Sequence, residues 1–165
     1  MKRRLTSLGF AVLSLAAATG LAAPANAREL TLTTTLARNF FGGAYMVVYL
    51  VDAEGRYKTT LWVSGTTSRY YNQFRHWYRA TDVARIAREP EYDGKTGASV
   101  RRGEVVTITV DLADEFFDAG YVLRIDSSVY EARDVPSDVT IPLSTEAAGV
   151  AAAGRGYVES LKFEL

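Results

Sequence analysis

A chain of 165 residues with a formal charge of zero, no cysteine, one histidine and two methionines excludes several kinds of chemistry before any motif is read. Thiolate metal centres, iron–sulfur clusters, c-type haem attachment and thiol redox work all need cysteine, and one histidine leaves little for copper or haem. There is no basic excess to hold a polyanion, so nucleic acid is not an expected partner.

Residues 1–27 have the three parts of a secretory signal. Lys2, Arg3 and Arg4 precede an apolar run from Leu8 to Ala23, and Ala25-Asn26-Ala27 offers a small-x-small peptidase site. The run is too short and too alanine-rich for a membrane span, and nothing later supplies one. The expectation is cleavage after Ala27 and a periplasmic protein that is not itself membrane-embedded. Leu5-Thr6-Ser7 lacks the bulky apolar residue that follows a twin-arginine pair, which favours export of the unfolded chain. The mature part, residues 28–165, keeps 16 basic against 19 acidic residues, a formal charge of −3. Its length suits a single domain that buries about two thirds of the surface of the unfolded chain.

Period-two alternation then runs through the mature chain. Leu30, Leu32, Thr34 and Leu36 alternate with threonines, and Tyr45 to Val51 is continuously apolar, the pattern of a central strand buried on both faces. Asp52-Ala53-Glu54-Gly55 is a hairpin turn into a strand from Arg56 to Val63. Val106, Ile108, Val110 and Leu112 share one face, as do Tyr121, Leu123 and Ile125, with Val122, Arg124 and Asp126 on the other. Val139 to Leu143 is a weaker strand that Pro142 places at an edge, and the last segment puts Leu161, Phe163 and Leu165 on one face and Lys162 and Glu164 on the other. The alanine- and glycine-rich stretch from Ala147 to Gly156 reads as a flexible connection. Six or seven strands of this kind predict an all-β, immunoglobulin-like two-sheet sandwich.

One segment departs from the β pattern. From Ser68 to Ala80, Tyr70, Tyr71, Phe74, Trp77 and Tyr78 fall on one helical arc and Arg69, Asn72, Gln73, Arg75, His76 and Arg79 on the other. The spacing predicts an amphipathic helical insertion, continued toward Arg88 until Pro90 stops it. Its aromatic face either closes the sandwich or forms part of a ligand wall, Trp77 and Tyr78 being the rings at its end; the two roles are compatible.

The string Asp93-Gly94-Lys95-Thr96-Gly97-Ala98-Ser99 lies in a polar loop before the strand that starts near Glu104. Its glycines allow positive φ and close backbone approach, so the loop can present the Ser99 hydroxyl to another macromolecule. The string resembles the Asp-x-x-Ser/Thr-Gly-Ala-Thr/Ser signature at which periplasmic FMN transferases attach FMN through a phosphoester. That resemblance implies covalent FMN at Ser99, with Asp93 as the leading acidic residue and Thr96 and Gly97 within the motif, and it departs from the usual pattern in having serine where threonine is common. The alternative is a plain turn that leads into a strand, Asp93 capping its own loop.

A longer resemblance covers most of the mature chain. Tyr45 to Gly55, Leu61-Trp62, Trp77-Tyr78-Arg79-Ala80, Asp93 to Ser99, Gly120 to Ile125 and Gly156 to Leu161 follow one another as in the periplasmic family called domain of unknown function 2271. The similarity implies an immunoglobulin-like sandwich and gene neighbourhoods with FMN transferases and PepSY-type membrane reductases. The expected function is therefore a carrier or accessory protein of a flavin-linked electron-transfer system, and the alternative is a non-redox binding or assembly module. The acidic cluster of Asp111, Asp114, Glu115 and Asp118 lacks the glycine and closing glutamate of a calcium loop and reads as a solvated turn. His76 reads as a surface histidine. No catalytic triad, carboxylate pair or nucleotide loop emerges, so no independent catalytic activity is expected.

Overall fold

The computed structural model describes residues 26–64, 68–81, 96–97, 99–129 and 133–165; the signal segment and the expected continuation of the helix from residue 82 lie outside them. In chain order the strands are β1 (Ala27–Leu36), β2 (Gly43–Val51), β3 (Tyr57–Ser64), β4 (Thr96–Gly97), β5 (Val100–Arg101), β6 (Val105–Ala113), β7 (Val122–Val129), β8 (Val135–Pro142), β9 (Ala152–Ala153) and β10 (Val158–Glu164). One sheet has the order β6-β1-β10-β9. The other has β4-β3-β2-β7-β8, with β5 added to β2. The pairing is antiparallel except between β3 and β4.

The alternation places the core where it was expected. Leu30, Leu32, Leu36, Ile108, Leu161 and Phe163 of the first sheet pack on Met46, Val48, Leu50, Leu123, Ile125 and Ile141 of the second, making the interior of a two-sheet sandwich. Truncating any of the fully buried leucines to alanine costs about 2–5 kcal/mol in such surroundings. Strand β2 is apolar throughout because it is buried on both faces: Met46, Val48 and Leu50 face the opposing sheet, while Val47, Tyr49 and Val51 pack with Tyr71, Phe74 and Trp77 in a second cluster. Asp52 to Gly55 makes the hairpin, with Gly55 at φ +81° and its N–H donating to the Asp52 carbonyl at 2.9 Å. Strand β8 is an edge strand, as Pro142 suggested.

The helical segment is divided rather than continuous. Ser68–Gln73 is a 3-10 helix and Arg75–Ala80 a short α-helix, α1, separated at Phe74, whose ψ of 72° is not helical. The buried rings Tyr71, Phe74 and Trp77 recur every third residue, the period at which side chains of a 3-10 turn eclipse, and tertiary packing of that row prevails over a uniform 3.6-residue helix. The segment closes the outer face of the second sheet, not an end of the sandwich.

The Ala147 to Gly156 stretch is ordered, which corrects its reading as a flexible connection. It contains β9 and is fixed by backbone bonds from Gly149 N–H to the Phe163 carbonyl at 2.7 Å and from Gly154 N–H to the Glu159 carbonyl at 3.0 Å. Its small residues serve close approach: a Cβ at Gly154 would lie 2.0 Å from the Val158 carbonyl oxygen.

Candidate functional site

The ladder between β2 and β3 ends at Val47 and Val63, and the Ser64 hydroxyl accepts the Met46 N–H at 2.7 Å just beyond it. The chain returning from the helical segment fills the vacated edge. Thr96 and Gly97 run parallel to Val63 and Ser64, and Val100 and Arg101 pair with Ala44 and Gly43. Buried Val100 anchors this return and leaves its neighbour Ser99 exposed. Ser99 lies beside Gly43: a Cβ on that glycine would be 3.7 Å from Ser99 Cβ and 3.8 Å from Oγ.

Beyond β5 the backbone turns through Arg102 and Gly103. Gly103, at φ +70°, donates its N–H to the carbonyls of Leu36 and Ala37, both at 3.1 Å, and a Cβ there would approach the Arg38 side chain to 3.2 Å. Glu104 Oε2 accepts the Arg101 N–H at 2.7 Å. These bonds tie the turn to the end of β1 and shape a cleft of about 460 Å³ lined by Ser99, Arg101, Arg102, Gly103 and Glu104. The Arg102 guanidinium sits 5.5 Å from the ring centroid of Phe41, which is 84% exposed. Among the described residues, Arg38, Arg101 and Arg102 form no ion pair with a carboxylate.

An ester-linked FMN needs an accessible hydroxyl, positive charge for the phosphate and a surface for the ring. Ser99 and the arginines fit the first two requirements. Trp77 does not supply the third: it is fully buried, its Nε1–H donates to Thr60 Oγ1 at 2.9 Å, and Tyr71 and Phe74 meet it edge to face at 5.6 and 6.0 Å. Tyr78 is half-buried beside the same cluster. Thr96 and Gly97 lie in β4, next to Ser99 in the chain, whereas Asp93 lies outside the described residues. Phe41, Arg38 and Arg102 escaped the sequence reading because they belong to two turns that only the fold brings together.

Two buried carboxylates were also missed as structural centres. Asp126 Oδ1 accepts the Tyr49 hydroxyl at 3.0 Å and the Ser137 N–H at 2.7 Å, and its Oδ2 accepts the Trp77 N–H at 3.3 Å. Burial raises its pKa above the ordinary carboxylate range, although these hydrogen bonds act in the opposite direction. Asp138 accepts the Ser127 hydroxyl and the N–H groups of Arg155, Gly156, Tyr157 and Val158. Of the acidic cluster, Asp114 pairs with Arg28 at 3.0 Å, and Asp118 accepts the N–H and hydroxyl of Thr145, each at 2.7 Å. His76 is exposed on α1 near Arg75, Arg79, Arg133 and Asp134.

A second concavity of about 460 Å³ opens between β3 and β6, strands at the same side of the two sheets, and is lined by Leu61, Trp62, Ile108, Val110, Leu112 and Phe116 among others.

Residues 27–160 match the family described as predicted periplasmic protein (DUF2271). No curated protein and no solved structure matches the chain.

Proposed function

We propose, for a chain that belongs to the DUF2271 family of predicted periplasmic proteins, that it is a carrier or accessory protein of a flavin-linked electron-transfer system, bearing FMN esterified to Ser99. The observation that carries the reading is the exposed Ser99 hydroxyl at the lip of a cleft whose arginines have no carboxylate partner among the described residues. A phosphodiester on that hydroxyl keeps one negative charge, which the guanidiniums would neutralise. Its formation needs an activated flavin phosphate. The bond from Ser99 Oγ to phosphorus forms as a P–O–P bond of a flavin diphosphate donor breaks, and the hydroxyl proton leaves with the departing phosphate through a base of the transferase. Bound FMN supplies the redox chemistry, and the chain supplies position and charge. On this reading a periplasmic FMN transferase modifies the protein and a PepSY-type membrane reductase delivers electrons to it.

The test is coexpression with an active periplasmic FMN transferase. Denatured protein should fluoresce in a gel and carry one FMN by intact mass, and Ser99→Ala should carry none. An unlabelled wild-type chain beside a labelled control substrate would exclude the ester.

A second reading, a non-redox binding or assembly module, is favoured by the apolar concavity between β3 and β6, since β6 ends its sheet among the described residues and unpaired strand edges recruit extended segments of other proteins. This reading takes precedence if the labelling fails.

The sandwich itself supports an immunoglobulin-like reading. Taking β1, β2, β3, β6, β7 and β8 as strands B, C, C′, E, F and G, one sheet has B beside E and the other has the order C′-C-F-G. Strand β10 lies against β1 where strand A would stand, but comes from the opposite end of the chain.

A further inference from the structure

We infer that the cleft beside Ser99 binds the phosphate ester of a planar ring, with Arg101 and Arg102 meeting the phosphate and Phe41 carrying the ring. The identity of that ring as a flavin rests on the function proposed above; the binding itself does not require the ester. Three observations converge. A mature chain of net charge −3 gathers Arg38, Arg101 and Arg102 around one turn, none of them engaged by a carboxylate among the described residues. The nearby acid, Glu104, is already bonded to the Arg101 N–H and to that extent is committed to shaping the turn. Phe41 exposes 84% of its surface two residues before Gly43, the glycine that flanks Ser99.

Arg102 joins the two halves of this site, since it lines the cleft with Ser99 and lies over the Phe41 ring. A planar cation over an aromatic face is a preformed edge against which a second ring can stack while the guanidinium retains donors for phosphate. The aromatic cap offers no equivalent place, because Trp77 is spent on closing the sheet. Gly43 leaves the Ser99 side chain without a neighbouring Cβ on that flank. The site thus locates a ring at the end of the sandwich where β1, β2 and β5 meet, on the solvent side rather than in the interior.

The experiment is a fluorescence titration of the purified, unlabelled mature chain with free FMN, with riboflavin as the ligand that lacks phosphate. Saturable quenching by FMN is expected, with riboflavin about tenfold weaker or worse. Phe41→Ala and Arg101→Ala/Arg102→Ala should each weaken FMN about tenfold. Trp77→Phe should bind free FMN as wild type does. Equal affinity for riboflavin, undiminished affinity in Phe41→Ala, or no saturable quenching would each overturn the inference. A chain that binds free FMN in this way yet is never labelled by the transferase would instead refute the ester at Ser99 and leave the binding site standing. Phe41 and both arginines are exposed, so circular dichroism of the variants should match the wild type.

Discussion

Tyr49 donates its hydroxyl to Oδ1 of Asp126 at 3.0 Å in the layer between the six-stranded sheet and its aromatic cap. Burial, and then the neighbouring Asp126 charge, push the Tyr49 hydroxyl well above its usual pKa, and burial raises Asp126 as well. The folded chain therefore holds the Asp126 proton to higher pH than the unfolded chain does. Its contribution to stability is complete below the unfolded pKa of about 4 and is lost as pH rises through the higher folded value. Urea denaturation across that interval should show a decline in wild type that Asp126→Asn flattens. The difference between the two proteins isolates Asp126 from Asp52 and Asp118, whose lowered pKa values act in the opposite sense. Identical pH slopes would refute the assignment.

Asp138 is the acceptor around which the approach to β10 is built. It takes four consecutive backbone N–H groups, from Arg155 to Val158, at 2.6–3.0 Å. Asp138→Ala strands these donors in a part-buried setting and should cost about 3–5 kcal/mol. Hydrogen exchange should report it locally, with amides 155–158 losing protection before those of β2.

How far the fold was legible depends on what alternation can say. It assigns residues to faces, and so Leu30, Leu32, Leu123, Ile125, Leu161 and Phe163 were all placed correctly. It does not say whether the other face meets water. Asp126 was read as outward because it alternates with Ile125, and it is outward from the sandwich interior, yet the aromatic cap covers that side and buries it to 1% exposure. The aromatic row was recognised, but its three-residue spacing was hidden within a looser helical arc. At the candidate site, the exposed hydroxyl of Ser99 could be expected from a glycine-bearing loop, whereas Phe41 and Arg38 meet Arg102 and Gly103 only through the β1–β2 turn, about 60 residues away in sequence.

The glycines near the C-terminus illustrate the same limit. Gly154 was read as flexibility, but the 2.0 Å distance from its would-be Cβ to a backbone oxygen makes it a packing requirement. Gly154→Ala should destabilise by about 2 kcal/mol or more, in contrast to Gly149→Ala, where nothing lies within 4 Å and the cost is that of φ +77° alone, about 1 kcal/mol. A reversed order of the two unfolding midpoints would contradict this account.

Thr34 is fully buried on β1 among the leucines, and its Oγ1 has no hydrogen-bond partner among the described residues. A buried hydroxyl without a partner costs about 1–3 kcal/mol in desolvation, and valine has nearly the same shape. Thr34→Val should therefore raise stability by about 1 kcal/mol, read as a higher denaturation midpoint at unchanged slope. A loss of stability would mean that the hydroxyl is satisfied in solution.

Trp77 and Phe41 should separate cleanly into a structural ring and a binding ring. Trp77→Phe removes the indole N–H that Thr60 Oγ1 accepts at 2.9 Å, and it leaves a gap beside Tyr71 and Phe74 at the centre of the cap. Lost hydrogen bonding and lost packing together should cost about 2–4 kcal/mol, seen as a lower urea midpoint. Phe41→Ala removes an exposed ring that the Arg102 guanidinium overlies, so its stability should stay within about 0.5 kcal/mol of wild type. Free FMN affinity should respond in the opposite way, unchanged in Trp77→Phe and reduced in Phe41→Ala, because the cap ring is enclosed by its own neighbours and the surface ring lies against Arg102, which lines the Ser99 cleft. Weakened flavin binding in a folded Trp77→Phe variant, with Phe41→Ala unaffected, would move the ring site back to the aromatic cap.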